Sequence, residues 1–330
     1  MISAPGSGLM KKDCVTLASF TQREIENLFS LTDAIRGDDA GFYRPLRGKT
    51  AALIFEKQSL RTHVSFEVGI TQLGGQAVFL SQQQIGVNSR ESVKDVAQVL
   101  SCYNDLIIAR TMSHRTVEEL AAYASVPVIN ALSDLLHPCQ ILADAYTLRQ
   151  RGSFGERTKI AFIGDGNNIV NSWLELAALL PFHFVLACPP GYEPDAEILA
   201  LSRAAGRSAI EITGDCRAAA AGADVLYTDV WVSMGQESER EQRLKDFRDY
   251  QINAGLLALA NRDCAVMHCL PAHRGEEITE DVLEGANSVV LGQAENRLHV
   301  QKALMTYVMT AGNDLRSAEF SAREKAPLHA

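Results

Sequence analysis

Thr50-Ala51-Ala52-Leu53-Ile54-Phe55, followed by Glu56-Lys57-Gln58 and then Ser59-Leu60-Arg61-Thr62, is the stretch that decides the fold. A nearly unbroken apolar run of this length suits a strand buried on both faces. A polar break and a hydroxyl residue opening an apolar-periodic segment, from about Arg61 to Leu73, suit a helix. Working outward, the same alternation recurs. Ala77-Val78-Phe79-Leu80 reads as a strand, Val93, Val96, Ala97 and Leu100 lie on a helix, and Leu106-Ile107-Ile108-Ala109 is a strand again. A helix through Glu118 and Leu120, the strand Val126-Pro127-Val128-Ile129 and a helix from about Pro138 to Arg149 continue the pattern. Upstream, Thr21-Gln22-Arg23-Glu24 forms a capping box for a helix with Ile25, Leu28 and Phe29 inward.

The glycine- and charge-rich Arg151-Gly152-Ser153-Phe154-Gly155 marks the expected inter-domain region. Beyond it Lys159 to Ile163, Phe184 to Ala187, Ala209 to Ile212, Val225 to Tyr227 and Ala265 to Met267 read as further strands. The expected fold is α/β: two doubly wound parallel-sheet domains with a substrate cleft between them. One domain takes residues 1–150 plus a C-terminal helix at about 300–330, and the other takes 151–299.

Composition narrows the function. The chain has 330 residues, 47% hydrophobic and 22% charged, enough for two cores, and its net charge of −9 argues against general binding to nucleic acid or anionic membranes. An anionic substrate must then be met by a local cluster of arginines and backbone N–H groups. The start, Met1 to Val15, lacks the apolar core of a signal peptide, and no apolar run reaches the roughly 18 residues of a membrane span, so a cytoplasmic enzyme is expected. Seven cysteines without a Cys-x-x-Cys pair suit a reducing compartment. Neither a metal nor an organic cofactor is expected, although His137-Pro138-Cys139 and His268-Cys269 contain ligand types.

Chemistry-bearing residues collect after strands. Ser59-Leu60-Arg61-Thr62 sets hydroxyls, a guanidinium and free N–H groups at the positive end of a helix, a phosphate cradle without a P-loop. Arg110-Thr111 and His137-Pro138-Cys139-Gln140 end or follow neighbouring strands and bring a second Arg, a His and a Gln to the same edge. Gly164-Asp165-Gly166-Asn167-Asn168 joins strand to helix, but Ile169 stands where a dinucleotide loop needs its third glycine, and no ribose-binding acid ends the next strand. Its asparagines suit a carboxylate or an ammonium instead. Asp229-Val230-Trp231-Val232-Ser233-Met234-Gly235 follows another strand and reads as a mobile loop. Met267-His268-Cys269-Leu270-Pro271 places a thiol beside the last strand end, which by itself is more often a buried small hydrophobe than a reactive group.

In this order, and with Phe55-Glu56-Lys57 and Ala294-Glu295-Asn296-Arg297 added, the motifs resemble those of the transcarbamylases over nearly the whole chain. Ser233-Met234-Gly235 and the Cys269 motif point to the ornithine branch rather than the aspartate branch. The resemblance implies transfer of a carbamoyl group from carbamoyl phosphate to the side-chain amine of L-ornithine, giving L-citrulline and phosphate, in arginine biosynthesis rather than breakdown. Another amine acceptor, putrescine or N-acylornithine, is the alternative. It implies that Ser59, Leu60, Arg61, Thr62, Arg110, His137, Gln140, Cys269, Leu270 and Arg297 hold carbamoyl phosphate, and that Asn168, Asp229, Ser233 and Met234 hold ornithine. Cys269, Arg110, His137 and Arg61 would carry the chemistry, with Cys269 taking the amine's proton or orienting the amine. A cis Leu270-Pro271 bond and self-association as a homotrimer, or a multiple of trimers, are also implied. The chain departs from the pattern at His63, where many relatives have a second Arg. It departs again at Gly86, where a neighbouring subunit's Gln or His is expected; Gln84 lies close by.

Overall fold

The computed structural model describes residues 11–38, 43–85, 91–233 and 235–310. Its chain divides into two compact units. The first comprises residues up to Val15, Thr21–Ser133 and the chain from Leu298; the second comprises Thr16–Phe20 and Asp134–Arg297. The helix Pro138–Gln150 therefore packs with the second unit, ahead of the glycine-rich Arg151–Gly155 segment.

The first unit holds a four-stranded sheet of β1 (Thr50–Phe55), β2 (Gln76–Ser81), β3 (Leu106–Arg110) and β4 (Val128–Leu132), ordered β2-β1-β3-β4 with every pairing parallel. All of β3 and all but the first residue of β1 are buried. Each large aliphatic side chain so buried contributes about 1.5–3 kcal/mol. β4 starts two residues later than the sequence pattern suggests, because Pro127 has no N–H to give the ladder; its carbonyl accepts from Ile107 instead. The helix Gln22–Arg36 carries the expected capping box and buries Ile25, Leu28 and Phe29.

The second unit holds five parallel strands: β5 (Lys159–Ile163), β6 (His183–Ala187), β7 (Ala209–Thr213), β8 (Val225–Thr228) and β9 (Ala265–His268), ordered β7-β6-β5-β8-β9. Trp173 packs edge-on against Phe182 and Tyr227, and Phe162 lies 5.2 Å from Tyr227, so aromatic rings fill the space beside the central strands. The last helix runs over Val290–Met309, ten residues further upstream than its apolar period reveals. The reason is polar burial: Asn296 sits 2% exposed, donating to Thr147 Oγ1 and Gln150 Oε1, and Arg297 is 3% exposed. A helix buried around polar side chains shows no amphipathic stripe.

Each sheet has a point where the chain reverses its direction of travel across the strands. In the first unit it lies between β1 and β3, and in the second between β5 and β8. Loops leaving the carboxyl ends of such strands diverge and open a crevice, the place where open α/β sheets bind ligands.

Candidate active site

At the β1/β3 reversal, β1 ends at Phe55 and the helix Leu60–Gln72 begins four residues after Glu56. Ser59 is its N-cap, and its Oγ accepts the Thr62 N–H at 3.3 Å. Serine serves here because its short hydroxyl substitutes for the missing turn. Thr62, 1% exposed, accepts from Arg110 Nη1 at 3.5 Å, so the guanidinium at the end of β3 meets the first turn of the helix. Leu60 and Arg61 occupy that same turn. The result is a fixed positive charge, a hydroxyl and a helix N-terminus together, an arrangement that favours an anion.

His63 points elsewhere. Its ring stacks on Phe79 at 4.1 Å and lies 5.6 Å from Phe55, with Nε2 3.1 Å from Glu67 Oε2. Gln84 turns its Oε1 onto Ser81, accepting from the backbone N–H at 2.8 Å and from Oγ at 3.0 Å. Gly86 and Met234 lie outside the described residues.

At the β5/β8 reversal, Asn167 caps the helix Asn168–Ala177, accepting the Ile169 N–H, while its Nδ2 donates to Asp229 Oδ2 at 2.9 Å. Gly166 is required: a Cβ there would stand 2.4 Å from Pro194 N and 2.6 Å from Tyr192 O, and its own N–H donates to Tyr192 O. This glycine serves close packing against the 192–194 turn, not a pyrophosphate.

Asp229, directly after β8, also accepts a hydrogen bond from Cys269 Sγ at 2.8 Å. Burial first, then the Asp229 charge, pushes the Cys269 thiol well above its ordinary range, so the sulfur keeps its proton and donates a hydrogen bond to the carboxylate. Cys139, fully buried, is also raised, to about 12, with burial as its sole raising cause. The bond between Leu270 and Pro271 is cis, as the resemblance implies, and Leu270 has φ 58°. His268 anchors this turn. Its Nδ1 accepts the Leu270 N–H at 2.8 Å, so the ring proton sits on Nε2, which faces Glu277 Oε1 at 3.0 Å with both side chains fully buried. Asp229, His268 and Cys269 bring ligand-type atoms within 4.8 Å of one another. These same atoms are tied up in the hydrogen bonds just described, a donor set fitted to proton-bearing groups.

His137 caps the helix Pro138–Gln150 and donates its backbone N–H to Ser172 Oγ, whose own proton goes to Asn168 O. One hydroxyl thereby ties the His137 and Asn168 motifs. Gln140 lies one turn on, 1% exposed, and Ser233 closes a turn with Gln236. Arg297 is close enough for its charge to lower the Asp144, Cys139 and Cys269 equilibria against the pull of burial.

Residues 12–150 match the aspartate/ornithine carbamoyltransferase family model for the carbamoyl-P binding domain, and residues 156–308 match its Asp/Orn binding domain. The chain belongs to the aspartate/ornithine carbamoyltransferase family. It is 51% identical over 309 residues to the ornithine carbamoyltransferase of Chlorobaculum tepidum, covering 92% of this chain and 91% of that one. The chloroplastic ornithine carbamoyltransferase of Pisum sativum is 48% identical over 308 residues, 92% of this chain and 81% of the relative. Among solved structures, the ornithine carbamoyltransferase from Pyrococcus furiosus superposes with a TM-score of 0.87 at 44% identity, covering 92% and 99% of the two chains.

Several side chains outside the sequence motifs brace the candidate site. Glu277 orients His268. Arg243, 6% exposed, donates to Asp165 Oδ2 at 2.8 Å and to Trp231 O at 3.1 Å, fastening the segment after Asp229 to the Gly164–Asn168 turn. Asp144, Tyr227 and Gln293 form a buried polar cluster behind Gln140. For Asp144 the available signal was a carboxylate inside the apolar run Ile141-Leu142-Ala143-Asp144-Ala145-Tyr146; Glu277 and Arg243 sit among other charges and carry no such signal.

Proposed function

We propose that the chain transfers the carbamoyl group of carbamoyl phosphate to the side-chain amine of L-ornithine, giving L-citrulline and phosphate. The observation that carries this reading is the thiol–carboxylate–amide array Cys269–Asp229–Asn167 at the β5/β8 reversal, in a chain about half identical to ornithine carbamoyltransferases. Ser59, Leu60, Arg61, Thr62 and Arg110 hold the phosphate, with His137, Gln140, Arg297 and the Leu270 carbonyl completing the carbamoyl-phosphate contacts. Asn168, Asp229, Ser233 and Met234 hold ornithine.

In the reaction the neutral amine attacks the carbamoyl carbon, a tetrahedral intermediate forms, and its C–O bond to phosphate breaks. The amine proton leaves with the phosphate oxygen, so the products are a urea group and hydrogen phosphate. Arg110 and His137 stabilise the carbamoyl oxygen as it gains charge, and Arg61 with the helix N-terminus stabilises the leaving phosphate. Cys269 orients rather than deprotonates: a thiol already donating to Asp229 has no lone-pair basicity to offer near neutral pH.

An N-acylated acceptor is disfavoured, because the N-acetyl-L-ornithine transcarbamylase structure is only 27% identical to this chain. Likeness to the anabolic ornithine carbamoyltransferase from Campylobacter jejuni, at 39% identity and TM-score 0.87, supports a role in arginine biosynthesis. Exposed Leu60, Val64, Val68, Val78 and Phe79 in the first unit support self-association, which we propose is a homotrimer or a multiple of trimers, in the cytoplasm. The test is citrulline formation across an acceptor panel of ornithine, N-acetylornithine, putrescine and aspartate, with order-of-addition kinetics. Ureido product from ornithine alone, carbamoyl phosphate binding first, is expected; product from another acceptor would overturn the assignment.

A further inference from the structure

A side-chain amide has two orientations of nearly equal shape, and which one Gln140 adopts decides whether it offers an acceptor or a donor to a ligand. Its Nε2 donates to Asp144 Oδ1 at 2.8 Å. A carboxylate only accepts, so this orientation is enforced, and Gln140 Oε1 is left buried with no hydrogen bond among the described residues. The same Oδ1 accepts from Gln293 Nε2 at 2.8 Å, which turns Gln293 Oε1 onto the His268 N–H at 3.0 Å. Tyr227 closes the cluster by donating to Asp144 Oδ2 at 2.6 Å and receiving Gln293 Nε2 at 3.2 Å. Asp144 is itself 0% exposed. One buried carboxylate therefore sets the polarity of two amides. It leaves the acceptor of Gln140 unmet and places the acceptor of Gln293 on the strand end that precedes Cys269.

We infer that Asp144 is a positioning residue that determines specificity for the acyl-phosphate substrate: it holds the Gln140 oxygen toward the amino group of carbamoyl phosphate and so selects that ligand over acetyl phosphate. This inference rests on the proposed function. Acetyl phosphate presents a methyl group of similar size where carbamoyl phosphate presents an NH2. A site built around a buried acceptor rejects the analogue that cannot donate, because the acceptor is then left desolvated and unpaired. An amide free to rotate would lose that penalty, since Nε2 or Oε1 could turn away from the ligand.

The experiment compares KM for carbamoyl phosphate with the competitive inhibition constant of acetyl phosphate in the full-length protein and in Asp144→Leu and Asp144→Asn. Asparagine keeps an oxygen to accept from Gln140 and Gln293 and gains an Nδ2 that donates to Tyr227 Oη, so Asp144→Asn should keep the preference within about threefold. Asp144→Leu should lower it by about ten- to a hundredfold, the fold-change that follows from losing one buried hydrogen-bond constraint. If the leucine variant does not fold, Asp144→Ser, too short to reach Gln140, takes its place with the same expectation. A folded Asp144→Leu or Asp144→Ser with reduced kcat but an unchanged preference makes Asp144 purely structural and overturns the inference. Absence of citrulline formation by the unaltered protein would instead count against the proposed function, so the two failures are separable.

Discussion

Replacing Cys269 by serine tests whether the thiol takes a proton or only places the nucleophile. An ornithine side-chain amine with a lysine-like pKa of about 10.4 is almost wholly protonated at pH 7, and freeing it costs about 4.6 kcal/mol. A base of matched pKa could offset that cost. The structure argues against Cys269 as that base: its Sγ donates to Asp229 Oδ1 at 2.8 Å, and burial followed by the Asp229 charge pushes the thiol well above its usual range. A serine hydroxyl donates to the same carboxylate in the same direction. Cys269→Ser should therefore keep the unit-slope rise of kcat/KM for ornithine between about pH 6 and pH 9, with a kcat lowered about tenfold by the shorter side chain. Cys269→Ala, which leaves Asp229 Oδ1 without that donor, should cost about 1.5–3 kcal/mol, or about 10- to 150-fold in kcat. The assay is citrulline formation as a function of pH, with thiolate absorbance followed in parallel on the unaltered protein. A thiolate titrating below about pH 8, together with loss of the alkaline rise in the serine variant, would refute the reasoning.

Arg61→Ala should raise KM for carbamoyl phosphate and lower kcat, a combined loss of about 2–5 kcal/mol in transition-state binding, readable from steady-state kinetics. Gly166→Ala should lose about 3 kcal/mol or more by thermal or denaturant unfolding, because the new Cβ meets backbone at 2.4 Å and no flexible side chain can yield. An unchanged melting temperature would mean that the 192–194 turn moves freely. Glu24 is held down at about 2; burial opposes this, and hydrogen bonds from Lys12, the Thr21 N–H and Tyr307 outweigh it. A depressed carboxyl stabilises the fold above its unfolded value near 4.5 and stops doing so as pH falls through about 2. Glu24→Gln should thus flatten the acid limb of the stability curve by about 1 kcal/mol after solvent screening. Asp144 is the opposite case: burial raises it to about 6, against hydrogen bonds from Tyr227, Gln140 and Gln293 and the Arg297 charge. Its contribution to stability is present below about pH 4 and lost as pH rises to 6, so Asp144→Asn should show a shallower decline in melting temperature across that window.

The sequence alone determined the α/β class, all nine strands among the described residues to within two residues at each start, and the strand-end motifs. That follows from physics that acts locally. A strand buried on both faces must be apolar throughout, as in β1 and β3, and a hydroxyl or amide cap marks where a helix starts, as at Ser59 and Asn167. Tertiary structure alone decided which polar groups face one another. Strand order is not written in any segment, yet it brings Arg110 to Thr62 across 48 residues, Asp229 to Asn167 across 62, and Gln293 to Asp144 across 149. It also decided the state of Cys269. Nothing in Met267-His268-Cys269-Leu270-Pro271 says whether the thiol is a base or a donor; a carboxylate 40 residues away and the burial around it do. Local patterning is set by whether a side chain meets water or protein, whereas proton positions and amide orientations are set by the identity of the partner, which only the folded chain supplies.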